Sequence, residues 1–557
     1  MCFRKAFQLL LLKNTKDNDQ QVFLPRLPIS TQLLCIIMHA KYLILIFAIG
    51  IQTCLGKGAP WSSEDQDIIF QKVKYVVLNA NKVLNQYKNL YPGYTWISQS
   101  KINPMKVLRL GFHDCLTYSD DLLEGEINGC DGCLNPTGMN INIKEVYGGK
   151  NSKNGPDVNT TDNNGLTNTA DILEEVYTNP DFPWGPPTLD MSMKDKGMSR
   201  ADLWAFASLI VLPLGVNNNN YACQGAQIAR KNVKAGGRVC GHVREHEPEC
   251  EIEWPRIPKF KTGRTDCTAS PDAEKPWHAS RHEVHPRPHG NGPETVDFYK
   301  DNFALDAKEA IALNLGAHSF ATFNADISQF RYDWTRKQMG LFNNQMVRHA
   351  ALKPQYFTQC EYGEDWKMLW YGDSEGNKAN TTWGVGQGKF TKNKGPFHWF
   401  HLYNRCPASN DCAAINDGNN DDRIERPTPA HCCVDLEPGM QCQPDCVKPI
   451  RNDETALSSD VGLYMKFQVS PEGRPMGCQG LSDKWVQGGV TFTGKVTCPK
   501  EDYAPDGVPL FELVEEMADD QQEFMKVYID AHEKMIANGY NDADLDEAPS
   551  NKWFHDW

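Results

Sequence analysis

The chain has 557 residues, 40% of them hydrophobic, and a formal net charge of -14 at pH 7. This length and apolar content can bury a substantial core, in one large domain or a few smaller ones, and exclude a disordered chain. The acidic balance argues against nucleic acid and anionic membranes as partners, because both bind basic surfaces.

The N-terminal segment contains a secretory signal pattern. From Met38 a short region with one lysine precedes the apolar run 42–51, and small residues follow. The run is too short to span a membrane as a helix, although an anchor or a long leader are the other interpretations. We predict that residues 1–56 are an over-extended N-terminus with a signal at about 38–56, and that the protein is secreted without stable membrane insertion.

Cysteine usage agrees with export. Three of the 19 cysteines fall inside residues 1–56, which leaves 16, an even number consistent with eight disulfides. Sequons at Asn159 and Asn380 predict a glycosylated surface. The run 431–446 contains four cysteines that could be zinc ligands, but disulfides are the more common use of cysteine in an exported chain.

Helical patterns dominate residues 57–354. Serines that can act as N-caps open an apolar pattern of helical spacing near residue 62. Strand signals are few. The segments with the same helical spacing are NNGLTNTADILEEVY, MSRADLWAFASLIVLP and LDAKEAIALNLGAHSFATF. The first part of the chain is therefore predicted to be a helical core.

Composition changes after this core. Residues 355–448 are rich in Cys, Asn, Asp and Gly, which predicts an irregular insertion tied by disulfides. Helical character returns over 449–545, interrupted by a second irregular insertion at 471–509, and a polar tail occupies 546–557.

The stretch VLRLGFHDC puts Arg109 and His113 four residues apart, on one face of a predicted helix. An imidazole can take a proton from a small polar molecule while a guanidinium stabilises developing negative charge. The alternative is a core histidine beside a salt-bridged arginine, which for a lone pair is the more common case.

A second histidine, His318, lies within the helical run ALNLGAHSFATF. The preceding Gly316 and Ala317 would let a flat group approach the backbone closely. Far downstream, LSSDVGLY holds Asp460 in a short turn before an apolar helical run, where a carboxylate can be held rigidly.

Three motifs in chain order, RLGFHDC, LNLGAHSF and LSSDVGLY, resemble the distal-histidine, proximal-histidine and proximal-aspartate segments of the plant, fungal and bacterial haem peroxidase superfamily. With further matching stretches such as FKTGRTDC, the resemblance covers most of residues 65–350 and 450–545. It implies a mainly α, two-lobed fold with haem b between distal and proximal helices, plus Cys-rich irregular insertions.

On the proximal side, the resemblance implies that His318 ligates the haem iron and that Asp460 accepts its ring N–H, which makes the imidazole more basic. Trp334 lies sixteen residues after His318, the spacing of the radical-forming tryptophan of cytochrome c peroxidase. An aromatic that packs under the haem without storing an oxidising equivalent is the alternative for Trp334.

On the distal side, the resemblance implies that His113 is the base that takes the peroxide proton and delivers it to the departing oxygen. Arg109 would stabilise the charge as the O–O bond breaks. Asn163 would accept the other ring proton of His113 and so fix its tautomer. Phe112 would cover the haem face beside His113.

A structural calcium is a further implication, because secreted members bind calcium near the distal motif. Asp114 and Asp131 are the candidate ligands, although Cys133 stands where a ligating serine is usual. An ordinary helix-surface carboxylate is the other interpretation of Asp114.

Departures from the family patterns exclude some classes of electron donor. Ile102, Lys106 and Asn324 stand where manganese peroxidases carry carboxylates, and Leu313 replaces the surface tryptophan used on lignin. The donor that remains is a small organic one, most simply a phenol. A His-rich loop at 278–289 would line the access channel, bind a metal or be a solvated loop.

The sequence therefore predicts a secreted, monomeric haem peroxidase. Its reaction would reduce hydrogen peroxide to water and oxidise a small phenolic donor by one-electron steps through ferryl intermediates. Two other functions remain: a haem-binding or extracellular matrix protein with little turnover, and a zinc-binding adhesion module without haem.

Overall fold

Helices are the main regular structure among the described residues of the unit that spans Ala59–Trp557. This computed structural model describes residues 57–80, 102–116, 129–134, 163, 165–183, 188–232, 252–269, 273–278, 285–287, 290–321, 340–352, 355–361, 394–401, 454–469, 475–479, 485–487, 490–549 and 552–556. Its α-helices are α1 (Ser63–Leu78), α2 (Pro104–Cys115), α3 (Thr167–Thr178), α4 (Met193–Lys196), α5 (Arg200–Asn232), α6 (Gly292–Phe303), α7 (Ala307–Ser319), α8 (Gln345–Leu352), α9 (Ser458–Val461), α10 (Leu510–Asp519) and α11 (Gln521–Ile536). The predicted mainly α class is confirmed.

Capping residues determine where the helices begin. The Ser62 side chain accepts an N–H at the start of α1, as predicted. Asn103 does the same for α2, which has Pro104 in its first turn, and Asp306 forms a capping box with Glu309 at the start of α7. These contacts satisfy backbone donors that a helix leaves unpaired. The two helices that carry candidate histidines, α2 and α7, thus have starts fixed by their own sequence.

The helix α5 runs through the core. Its first part, Arg200–Asn220, is long and apolar enough to cross a membrane, but 83% of the most apolar window is buried inside the protein. The distal-motif helix α2 packs closely on it. A Cβ added at Gly111 would lie 2.5 Å from the Cβ of Ser208, so a larger residue would push the helices apart.

A buried ion pair ties the last long helix to α5. The Arg264 guanidinium, in the stretch FKTGRTDC, donates to Asp202 Oδ1 at 2.8 Å, and both side chains are buried. Arg264 Nε also donates to the carbonyl of Ile536 at 2.8 Å, at the end of α11. Removing either charge would leave the other buried and uncompensated, so the pair fixes this junction.

Nine strands are present among the described residues. They are β1 (Lys261–Thr262), β2 (Gln355–Glu361), β3 (Lys394–His401), β4 (Glu454–Ala456), β5 (Gln468–Val469), β6 (Pro475–Met476), β7 (Trp485–Gln487), β8 (Val490–Val496) and β9 (Asp546–Glu547). Five strands, β2, β3, β6, β7 and β8, lie in the two insertions predicted to be irregular. Five of the nine form an antiparallel sheet in the order β4-β3-β2-β8-β7, and β1–β9 and β5–β6 form two-stranded pairs. The two insertions therefore contain more regular structure than their composition predicts.

Three disulfides lie among the described residues: Cys115–Cys130, Cys133–Cys267 and Cys478–Cys498. The first two anchor the chain that follows α2, and the third closes the second insertion. The other predicted disulfides stay a prediction, and the possible zinc ligands of 431–446 lie outside the described residues.

Candidate active site

The distal-motif helix α2 carries a histidine with two polar neighbours. His113 is 8% exposed, and its Nδ1 lies 2.8 Å from Asn163 Oδ1. An amide oxygen only accepts, so Nδ1 carries the ring proton and Nε2 carries the lone pair. Arg109 Nε donates to this Nε2 at 3.3 Å. The structure thus brings together Arg109, His113 and Asn163, and it leaves His113 in the tautomer of a base.

Charge and burial keep His113 neutral. Burial, followed by the positive charges of Arg109 and His285, lowers the pKa of His113 well below its usual value, and the Asn163 contact opposes this shift. The His285 ring centroid lies 4.8 Å from that of His113. His285 belongs to the His-rich loop, so the sequence drew attention to this residue without placing it beside the base.

Of the other histidines in the His-rich loop, the structure describes His278. His278 is 4% exposed and packs edge-on against Trp277, and burial with nearby Lys275 lowers its pKa to about 4. His282 and His289 lie outside the described residues.

Phe112 lies next to His113, where the family resemblance predicts an aromatic side chain that covers the haem face. Its ring centroid is 5.8 Å from that of His113 and 6.3 Å from those of both Phe303 and Tyr299 on α6. Phe112 therefore connects the helix of His113 to α6.

The proximal-motif helix α7 carries the second histidine. His318 Nδ1 lies 2.8 Å from Asp460 Oδ1, and Asp460 is fully buried in the short turn α9. Asp460 Oδ2 also accepts the N–H of Leu457 at 2.8 Å, which holds the carboxylate in place. The structure thus brings His318 and Asp460 into hydrogen-bond contact and gives the carboxylate a second, backbone partner.

The chemistry of this pair fits a metal ligand. Because Nδ1 donates to a carboxylate, the lone pair is on Nε2, the arrangement in which histidines bind metals. The His318 side chain is 23% exposed, while α7 is otherwise largely buried. The Nε2 atom of His318 thus has the chemistry of a haem-iron ligand.

Gly316 does permit the approach of a flat group, but that group is a protein side chain. A Cβ added at Gly316 would lie 2.3 Å from Cδ2 of Tyr528 on α11. The glycine before His318 therefore serves helix packing.

The candidate calcium ligands lie next to each other in the core. Asp114 accepts the N–H groups of Gly132 and Cys133, each at 3.1 Å, and Asp131 also accepts the N–H of Cys133. Both aspartates are fully buried, so Asp114 is not the surface carboxylate of the alternative interpretation. Burial and then Asp131 raise the pKa of Asp114 well above its usual value.

The cysteine sulfurs near these carboxylates do not provide an oxygen ligand for calcium. Asp131, Cys133 and Cys267 have ligand atoms within 4.8 Å of one another, but the two sulfurs form a disulfide. Calcium prefers oxygen, so only the two aspartates among these side chains fit it.

Two residues of the site carried no signal in the sequence. Asn314 and Tyr299 form a hydrogen-bonded chain that ends on Asp460. An asparagine within an apolar helical run has no motif of its own, and the link to Asp460 spans 146 residues. Trp334 lies outside the described residues.

A mainly helical fold with two histidines, each with Nδ1 2.8 Å from a side-chain oxygen, fits an oxidoreductase of the haem-dependent type. The family model described as peroxidase matches residues 88–382, more than half of the chain, and the chain therefore belongs to the peroxidase family. A comparison with curated proteins finds no significant match. Membership implies haem binding and peroxidase activity between hydrogen peroxide and an electron donor.

Proposed function

We propose that the protein is a secreted haem b peroxidase in which His318 ligates the iron and His113 handles the peroxide protons. The observation that carries the proposal is the pair of anchored imidazoles, each with Nδ1 2.8 Å from a fixed oxygen. One oxygen belongs to a neutral amide and the other to a carboxylate. This difference gives each histidine a separate task.

On the distal side, Nε2 of His113 accepts the proton of the incoming peroxide and returns it to the departing oxygen. Arg109, one helical turn away, stabilises the negative charge that develops on that oxygen. Asn163 holds the ring in the tautomer that makes Nε2 the acceptor. A bound haem would supply the two electrons that reduce the peroxide, and the organic donor would return them in one-electron steps.

On the proximal side, Asp460 accepts the Nδ1 proton of His318 and increases the electron density that the ring offers to the iron. A small phenol is the proposed donor, oxidised in one-electron steps, since the carboxylates of a manganese site are absent at Ile102 and Lys106. Trp334 is the proposed internal radical site.

Export and calcium binding belong to the same proposal. The disulfides Cys115–Cys130 and Cys133–Cys267 support an oxidising compartment and thus secretion. The sequons at Asn159 and Asn380 support glycosylation. The buried, adjacent Asp114 and Asp131 support one calcium ion, with other oxygen ligands supplied by groups besides these side chains. Metal analysis of the native protein and of Asp131→Asn tests this site directly.

Absorption spectroscopy of the purified, haem-loaded protein tests the function. We expect a Soret band, a rapid spectral change on adding hydrogen peroxide, and its return on adding a phenol. His318→Ala should lose the native Soret spectrum, whereas His113→Ala should keep it and lose the rapid peroxide response. A protein without a Soret band would contradict the proposal, as would a native spectrum in His318→Ala.

A further inference from the structure

One oxygen of the proximal carboxylate serves two donors. Asp460 Oδ1 lies 2.8 Å from His318 Nδ1 and 2.8 Å from Asn314 Nδ2. Asn314 lies on α7 one turn before His318, so helix geometry alone places its amide beside the same carboxylate. Both Asn314 and Asp460 are buried, and water does not compete for this oxygen.

A tyrosine fixes the direction of the Asn314 amide. The Tyr299 hydroxyl donates to Asn314 Oδ1 at 3.0 Å. Burial, followed by the charge of Asp460 and the neighbouring Tyr528, raises the pKa of Tyr299 well above its usual value, so the hydroxyl keeps its proton. The amide oxygen therefore faces Tyr299 and the NH₂ group faces Asp460. The reverse orientation would place an oxygen against the carboxylate.

We propose that Asn314 is a positioning residue that tunes the iron ligand His318 through Asp460. Its N–H takes up part of the negative charge on Oδ1 and so weakens the pull of the carboxylate on the His318 ring proton. The imidazole then carries less anionic character, which favours ferrous over ferric iron. Tyr299 supports this role by locking the amide. The inference rests on the proposed function, because it needs His318 bound to haem iron.

The competing explanation is that Asn314 only satisfies a buried carboxylate. In that case its loss would lower stability without changing the electronic properties of His318. The reduction potential of the iron and the iron–histidine stretching frequency separate the two explanations, since both report on the ligand.

The experiment compares haem-loaded variants by spectroelectrochemical titration and by resonance Raman spectroscopy of the ferrous protein. In Asn314→Leu we expect the Fe(III)/Fe(II) equilibrium to shift toward ferric iron by about tenfold, about 59 mV for one electron, and the stretching frequency to rise. Tyr299→Phe keeps the amide but unlocks it, so we expect a smaller shift in the same direction. If Asn314→Leu fails to fold, the reduction potential and stretching frequency of Tyr299→Phe test the proposal instead.

Two controls make the result specific. Asn302 is a half-buried asparagine on α6 whose side chain donates to the Phe298 carbonyl, and Asn302→Leu should leave both readouts unchanged. In an Asp460→Asn background, Asn314→Leu should add little further shift, because the shared acceptor charge is gone.

The outcomes separate this inference from the proposed function. An unchanged potential in both Asn314→Leu and Tyr299→Phe, with a clear shift in Asp460→Asn, would overturn the role of Asn314 and leave His318 as the ligand. A native spectrum in His318→Ala would instead remove the proposed function, and this inference with it.

Discussion

The two histidines of the site have the same contact length and different partners. His113 Nδ1 and His318 Nδ1 each lie 2.8 Å from an oxygen, of an amide in the first case and of a carboxylate in the second. A neutral partner fixes a tautomer without adding charge, so the Asn163 contact leaves His113 suited to the proposed role of proton acceptor. An anionic partner also makes the ring a stronger electron donor. The charge of the second partner, more than its distance, thus separates a base from a ligand.

Removing the base should have the largest effect on the reaction. In His113→Ala we expect the rate of reaction with peroxide to fall about 10²- to 10⁴-fold, because the group proposed to take the peroxide proton is lost. Stopped-flow absorption measures this rate. The Soret spectrum of the resting protein should not change, and a near-native rate would mean that another group is the base.

Neutralising the proximal carboxylate should have the next largest effect. Asp460→Asn keeps the size of the side chain but loses its charge, and we expect a loss of about 10- to 100-fold in haem affinity or peroxide rate. A haem titration and the same stopped-flow measurement separate the two effects. Wild-type values for both would show that the charge of this partner does not matter.

Removing Asn163, the partner of His113, should slow the peroxide reaction less than these two changes. In Asn163→Ala the His113 tautomer is no longer fixed, and we expect about a tenfold slower peroxide reaction from the loss of one buried hydrogen bond. Asn163→Asp sharpens the comparison, since it gives His113 the kind of partner that His318 has. A rate in Asn163→Ala equal to that of the wild type would contradict the orienting role.

The pH dependence of the peroxide reaction tests the surroundings of His113. The base works when neutral, so the rate falls as pH drops through its pKa, which burial, Arg109 and His285 lower. Removing the His285 charge with His285→Gln should raise this pKa and move the acid limb of the rate profile to higher pH. His278→Gln is the matched control from the same loop, and it should leave the profile in place.

The buried His532 should affect the free energy of unfolding and leave the peroxide reaction unchanged. His532 lies 3.3 Å from the hydroxyl of Ser208, and burial lowers its pKa from 6.5 to about 3. The unfolded chain therefore binds a proton between pH 6.5 and 3 that the folded chain does not. The free energy of unfolding should fall with decreasing pH by up to about 1.4 kcal/mol per unit from this group.

Urea denaturation at several pH values measures this stability effect. In His532→Phe the dependence should be flatter than in the wild type, with the peroxide rate little changed. Equal slopes in both proteins would show that His532 is protonated in the folded state as well.

The sequence predicted the parts of the site that depend on local spacing. Arg109 and His113 lie on one helix, and Asp460 lies in a Ser-Ser-Asp turn, so each could be found from neighbouring residues. Asn163 was identified through the family motif and is in place. Asn314 could not be found in this way, because its function depends on a carboxylate 146 residues away.

The sheet escaped prediction for a similar reason. Its strands are short, and apart from the neighbours β7 and β8 they pair with partners distant in the chain, as β2 does with β8. No turn motif joins such strands, and the many Cys, Gly and Asn residues around them favour irregular structure. The disulfide partners could not be assigned either, since spacing alone does not determine connectivity.

The Cys133–Cys267 bond closes a ring with a sequence separation of 134 residues, and this ring contains Asn163 and the start of α5. By the chain-entropy estimate, closing so long a loop lowers the conformational entropy of the unfolded chain, which stabilises the folded state by roughly 5 kcal/mol. Production of this protein in a reducing bacterial cytosol should therefore give material that aggregates or fails to take up cofactor. Expression hosts with an oxidising secretory route are the appropriate choice.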